Sequence, residues 1–318
     1  MVDGAVLHAA FLATVLGLVF AIDWLLGEPP VAVHPVVWMG RYLGVVGRRI
    51  APGADASLPA DWGTFGLGAL AWCAGAALVS IAAVLVEATL ARLPWWAEVP
   101  LLAVALKPML AWRMLHDEVA AVETALAISL DAGRTQLARL VSRDVTQLTA
   151  TEVRESAIET LAENLNDSVV APLFWFVLAG LPGAAVYRFA NTADAMWGYR
   201  GRWEWAGKWA ARADDVLSWL PARITAALLL ALQPALWPRL PAEARRTPSP
   251  NGGWPMGAMA LRLGVRLSKP GVYCLNAGGR DPLPADTAEA LKLSIKAVVV
   301  GALCGLLAIY SIALARVA

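Results

Sequence analysis

Long apolar runs separated by polar segments dominate the chain, and run length sets the first expectation. Residues 5–26 and 65–90 are almost free of charge, and each is long enough, at about 1.5 Å per helical residue, to cross about 30 Å of hydrocarbon. Residues 295–317 form another clean span. Residues 96–115 are a further expected span, but Lys107-Pro108 predicts a kink or a partly interfacial position. Two more runs are irregular: 169–189 is interrupted by Gly180-Leu181-Pro182-Gly183, and 219–237 contains Pro221 and Pro234. Such breakers are tolerated in a span, yet they also suit a segment that dips in and returns. Trp24, Trp95, Trp96, Trp175, Trp219 and Trp237 lie near run ends, as interfacial anchors do. The first run has no Lys or Arg before it and no small-residue cleavage site after it, which predicts a retained helix rather than a signal peptide.

Basic residues orient these runs. Arg41, Arg48 and Arg49 follow the first run, which puts the N-terminus outside and the first loop inside. Segments 113–168, 190–218 and 238–294 are all rich in Arg and Lys, so all three favour the cytoplasmic side. That holds only if the two irregular runs do not fully cross; as ordinary spans they would put 190–218 opposite its neighbours. The expected fold is therefore an all-α integral membrane protein: a polytopic helical bundle with re-entrant or interfacial helices and a polar site on the cytoplasmic face. Residues 1–318 read as a single membrane domain, with 113–168 an amphipathic, acidic helical segment and with 188–218 and 238–292 as loops carrying motifs.

Composition agrees. Residues of the AVILMFWYC class make up 58% and charged residues 16%, with mean hydropathy +0.58. That is too little polar side chain to coat a water-soluble globule of this size. A net charge of +1 gives no basic excess for nucleic acid. Cys73, Cys274 and Cys304 form no C-x-x-C pair, and His8, His34 and His116 are scattered, so neither a disulfide framework nor a structural zinc site is expected.

The chemistry concentrates in three acidic clusters. In the first, Thr149 with Glu152 makes a capping box that starts a helix. On it Glu152, Glu155, Glu159, Glu163 and Asp167 share a stripe about 120° wide, with Ile158, Leu161 and Leu165 opposite. A solvated acidic face is one reading. The other is a cation site, because the stripe has few local Lys or Arg partners and runs straight into a membrane segment. Asn191 and Asp194, three residues apart, share a helix face, and adjacent Asp214 and Asp215 precede Trp219; each suits either a solvated surface or a hard cation such as Mg²⁺. Arg143, Arg188, Arg200, Arg202 and Lys208 are available for phosphates or carboxylates, or serve only topology. No P-loop motif occurs. Gly66 and Gly68 read as helix packing, Asp23 as a cap or snorkelling acid, and His34 as a loop residue. The turn-rich 249–257 segment has amides suited to an anion, or is only a loop.

Taken together, Gly27-Glu28-Pro29, His34-Pro35-Val36, Ser142-Arg143-Asp144, Glu159…Glu163-Asn164…Asp167, Asn191-Thr192…Asp194, Arg212-Ala213-Asp214-Asp215, Pro221-Ala222-Arg223 and Ser249-Pro250-Asn251-Gly252-Gly253 resemble the CobD/CbiB family of cobalamin biosynthesis, adenosylcobinamide-phosphate synthase, from about residue 20 to about 275. The chain departs from the family at Glu28, where Asp is usual, and around Leu267–Leu275, where a Gly-rich stretch is usual. The resemblance implies ATP-dependent amide formation between adenosylcobyric acid and (R)-1-amino-2-propanol O-phosphate at a bacterial cytoplasmic (inner) membrane, crossed more than once. It implies Mg²⁺ as cofactor, ATP as co-substrate, and other membrane-associated enzymes of the pathway as partners. In that reading Glu159, Glu163, Asn164, Asp167, Asn191, Asp194, Asp214 and Asp215 are catalytic. Glu159, Asp167, Asp194, Asp214 and Asp215 hold the metal, and Arg143, Lys208, Arg212 and Asn251 bind co-substrate. The alternative is a Mg²⁺-dependent membrane transferase acting on a phosphorylated small molecule without ATP. Transport is disfavoured because the clean spans are nearly free of ionisable residues.

Overall fold

Caps and breakers written into the chain set the helix ends. The computed structural model describes residues 2–51 and 61–315. Its helices run α1 (Val2–Leu26), α2 (Pro35–Ile50), α3 (Trp62–Leu90), α4 (Trp95–Leu106), α5 (Trp112–Ile128), α6 (Leu130–Leu137) and α7 (Ala150–Leu165). A π-helical turn at Asn166–Val170 leads into α8 (Ala171–Trp197), then α9 (Lys208–Leu217), α10 (Trp219–Leu230), α11 (Leu240–Ala244) and α12 (Gly253–Leu263). The antiparallel strands β1 (Leu267–Lys269) and β2 (Tyr273–Leu275) precede α13 (Pro284–Ala315). Residues 316–317 of the last expected span lie outside the described residues. Among the described residues the fold is helical as expected, apart from that short hairpin.

His34 is more than a loop residue: its side chain accepts from the Val36 amide and caps α2, with Pro35 in the first turn. Asp61 accepts from Thr64 N at 2.9 Å to open α3. The predicted Thr149–Glu152 box forms at α7 with both of its bonds.

Among the described residues, four helical stretches are long and apolar enough to cross a membrane: Ala9–Leu26, Trp62–Leu90, Ala150–Trp197 and Pro284–Ala308. On α3, Leu67, Leu70, Leu78, Ile81, Val84 and Leu85 are all exposed. A stripe of that size needs lipid against it. The expected span at 96–115 does not form. Lys107–Met109 turn as a 3-10 segment and α5 starts afresh at Trp112. This leaves α4 with 12 residues, about 18 Å and short of a crossing. The two irregular runs are broken where their glycines and prolines stand. α8 leaves helical geometry at Ala179 and Gly180 (φ 64°), and α10 stops after 12 residues.

Read from sequence as a single domain, the chain divides into two compact units. The first comprises residues 1–111, 171–217 and 305–318. Within it α3 packs on α2, α8 and α9, and α1 on α4. The predicted packing role of Gly68 holds, since a Cβ there would overlap the Ala206 carbonyl; Gly66 faces open space. Lys107 is buried, with ion pairs to Asp23 at 2.9 Å and Glu28 at 2.6 Å, and Glu28 also meets His34 at 3.2 Å. Asp23 is therefore a buried counter-ion rather than a snorkelling acid, because an ammonium taken out of water needs charge beside it.

The second unit comprises residues 112–170 and 218–304, built around α7. Helices α5, α6 and α12 and strand β1 pack on α7, and α12 also packs on α10 and α11. Ile158, Leu161 and Leu165 are fully buried, as expected of the apolar face, but Glu155 and Glu159 opposite them are buried too. The solvated acidic face does not exist at these two positions. Segments 188–218 and 238–292, expected as loops, contain α9, α11, α12 and the hairpin.

Candidate functional site

α7 precedes the apolar part of its long helical run. It carries Glu152, Arg154, Glu155, Glu159 and Glu163 in 16 residues, whereas no charged residue occurs between Asp167 and Arg188. The apolar stretch thus begins after Asp167, and α7 delivers its acids just before it.

Glu155 is held from three directions. Its carboxylate accepts from Ser268 N at 2.9 Å, from the Ser268 hydroxyl, and from Arg266 Nε at 3.4 Å. The hairpin around 267–275, whose role the sequence left open, is thus fastened to α7. One turn on, Glu159 is 4% exposed. Its Oε2 lies 3.6 Å from Arg143 Nη2, and its Oε1 has no hydrogen-bond partner among the described residues. Burial pushes Glu159 up to about 7, against the opposing pull of Arg143 and the Tyr273 hydroxyl. Arg143 donates to Ser156 Oγ at 2.5 Å, while its buried Nε has no partner among the described residues. Tyr273, on β2, has its hydroxyl 3.7 Å from Met256 Sδ. Burial, and after it the nearby carboxylates of Glu159 and Glu163, raise the phenol well above its ordinary value, so it stays neutral and able to donate. A proton acceptor, a guanidinium and a neutral phenol therefore meet beside α7.

The rest of the motif follows a change of helix type. Asn164 donates to the Thr160 carbonyl at 3.1 Å. Asp167 falls in the π turn, where Asn166 donates to it at 2.8 Å and receives Thr225 Oγ1 at 3.1 Å. A π turn is wider than an α turn and such turns are frequent at functional sites; here it re-aims Asp167 off the uniform stripe expected from the sequence. Glu163 is exposed and lies beside Gly252, where a Cβ would come within 3.0 Å of its Oε1. Asn251 is buried and accepts from Arg223 Nη1 at 3.0 Å. The amides of Asn251 and Gly252 both donate to Ser249 Oγ at 3.1 Å, so these two amides are engaged within the loop.

The remaining expected residues belong to the first unit. Arg188 donates to Asn191 at 3.4 Å on α8, which also carries Asp194 and packs on α9. On α9, Lys208 pairs with Glu204 at 3.2 Å and lies 4.1 Å from the Trp205 ring centre, so it is already engaged. Arg212 is largely exposed and 3.8 Å from Asp215, whose carboxyl is raised by burial and lowered again by Arg212. Asp214 and Asp215 are adjacent on a helix rather than on a loop. They leave its axis about 100° apart, so they do not chelate one ion together.

Among the described residues, no three His, Cys, Asp or Glu side chains are grouped to hold a metal ion. Magnesium does not require such a cage; it keeps waters and takes one or two carboxylates along with phosphate oxygens. Asp167 in the second unit, and Asp194, Asp214 and Asp215 in the first, are each a donor suited to that mode. Glu159, facing Arg143 and raised toward neutrality, suits a proton better.

Sequence reasoning did not select Tyr273, Glu155 or Arg223 for the site. Glu155 had a local signal in its place on the acidic stripe and Arg223 in the Pro221-Ala222-Arg223 motif; Tyr273 had none.

Comparison with known proteins follows the same lines. Residues 16–299 match the family described as CobD/Cbib protein. A probable cobalamin biosynthesis protein CobD of Pyrococcus abyssi is 40% identical over 283 residues, covering 87% of this chain and 90% of the relative. The corresponding protein of Thermococcus kodakarensis is 39% identical, covering 87% and 88%. The cobalamin biosynthesis protein CobD of Rhodobacter capsulatus is 36% identical over 307 residues, covering 91% and 94%. No solved structure matches. With one family spanning both units and almost every motif above, the chain belongs to the CobD/CbiB family.

Proposed function

We propose that this protein is an adenosylcobinamide-phosphate synthase of cobalamin biosynthesis, joining adenosylcobyric acid to (R)-1-amino-2-propanol O-phosphate at the bacterial cytoplasmic membrane with consumption of ATP. The observation that carries the reading is Glu159, buried beside Arg143 and Tyr273 with one oxygen unpartnered. An amine arrives at neutral pH as an ammonium and must lose a proton before it can attack a carbonyl. A carboxylate raised to about 7 is matched to that task.

In this mechanism the substrate carboxylate attacks the γ-phosphorus of ATP, giving an acyl phosphate and ADP. Glu159 takes one proton from the ammonium, the freed amine nitrogen attacks the acyl carbon, and as the amide forms inorganic phosphate leaves and carries away the second nitrogen proton. Arg143 offers its free Nε to a phosphate or carboxylate oxygen at the reacting centre. Tyr273 stays protonated and donates to the developing oxyanion. Carboxylates of either unit suit Mg²⁺, Asp167 in the second and Asp194, Asp214 or Asp215 in the first, and the ion when bound would neutralise phosphate charge. Positioning and charge placement are the protein's share of the work.

The test is a turnover assay of the purified protein with cobyric acid, aminopropanol phosphate, Mg²⁺ and ATP. One ADP per amide is expected. Product formed without ATP consumption would favour the transferase reading instead.

A further inference from the structure

Arg223, near the start of α10, has no part in the chemistry above, yet its guanidinium is held from several sides. Its guanidinium lies 4.2 Å from the Trp219 ring centre and 4.7 Å from that of Trp254. Nη1 donates to the Trp219 carbonyl at 2.6 Å and to Asn251 Oδ1 at 3.0 Å, and Nη2 donates to the Pro250 carbonyl at 3.4 Å. These bonds use three of the five N–H donors of the group. Nε and one Nη2 hydrogen remain among the described residues, and the two nitrogens share the edge that grips two oxygens at once. No carboxylate pairs with Arg223 among the described residues, and the side chain is half-buried. The two indoles and the neutral oxygens fix the cation without cancelling its charge.

We propose that Arg223 is a phosphate anchor: a phosphate monoester or diester presents two oxygens to the Nε–Nη2 edge. A carboxylate of the protein would normally fill that edge, and here none does. The oxygen acceptors around the group orient it and add no negative charge, so an anion meets a pre-aimed donor pair. Two sources share this chemistry. One is the phosphate of a substrate, since Arg223 grips the 249–253 loop that Glu163 also touches; that version rests on the proposed ligase function. The other is a lipid headgroup, since Trp219 and Leu220 beside it are exposed and apolar.

The test uses the full-length protein in phosphatidylcholine nanodiscs, titrated with inorganic phosphate and read by ³¹P line broadening. Arg223→Lys keeps the charge and loses the two-point edge, and should weaken binding at least tenfold. Trp254→Leu, which frees one face of the guanidinium, should weaken it severalfold with the charge intact. Wild-type binding by Arg223→Lys would overturn the proposal. Two further measurements then separate the sources. A tenfold rise in KM for aminopropanol phosphate with kcat within twofold assigns the substrate. Loss of co-purified phosphatidylglycerol with KM unmoved assigns the headgroup. If neither moves, the phosphate bound in the titration has no physiological counterpart and the proposal falls. The titration needs no turnover, so a protein lacking ligase activity would fail the proposed function while leaving the anchor measurable.

Discussion

Glu159 shows what burial does to one carboxyl. In the unfolded chain it titrates near 4.5; in the folded protein it is pushed up to about 7. Below the lower value both states are protonated and the shift has no effect on stability. As pH rises through this window the unfolded chain releases its proton first, so the folded state loses stability until about pH 7 and stays penalised above it. At about 1.4 kcal/mol per pKa unit, the full effect over about 2.5 units is about 3.5 kcal/mol. Glu159→Gln should therefore raise the apparent Tm at about pH 8 and leave it unchanged at about pH 4, measured by thermal unfolding in detergent. The same variant should lower kcat by about 10²–10⁴-fold and abolish the rising limb of the pH–rate profile near neutrality. Retention of that limb would assign the proton transfer to another group.

Among the elements, the hairpin and the broken helix make separable predictions. β1 is tied to α7 by Glu155, which accepts from the backbone and side chain of Ser268. Glu155→Ala leaves those donors without an acceptor and should destabilise the protein by about 2 kcal/mol. It should also loosen the strand that carries Tyr273, measured as faster amide exchange across 267–275. The α8 break has its own logic. Gly180 adopts φ 64°, Pro182 opens the second half of the helix, and Glu87 accepts from the Leu181 amide. Gly180→Ala would place a Cβ 2.6 Å from Glu87 Oε1 on a left-handed backbone. A loss of about 1–3 kcal/mol is expected, read by thermal unfolding.

For the whole molecule, the open question in the chain's pattern is which runs cross. α10 is too short to cross and α8 is interrupted, in keeping with breakers that the sequence displays openly. If segment 190–218 is cytoplasmic, as its charge bias implies, Arg202→Cys should react with an impermeant maleimide in inverted vesicles and stay unlabelled in right-side-out ones. The background would have Cys73, Cys274 and Cys304 replaced, since these are free thiols. Labelling only from the outer face would mean that an irregular run crosses after all.

The sequence by itself determined the helical membrane class, the family, the capping box at Thr149 and the breaks at Gly180 and Lys107-Pro108. Each of these is local: run length, cap chemistry and breaker residues act over one or two turns. It also placed Glu159, Glu163 and Asp167 on one helical run, by periodicity. Only the tertiary structure decided that Glu155 and Glu159 are buried, because their partners Ser268, Arg266 and Tyr273 arrive from more than a hundred residues away. It alone decided that Asp23 answers Lys107, that a π turn re-aims Asp167, and that two indoles hold Arg223. Burial and charge pairing depend on which segments pack together, and helical periodicity carries no record of that partner.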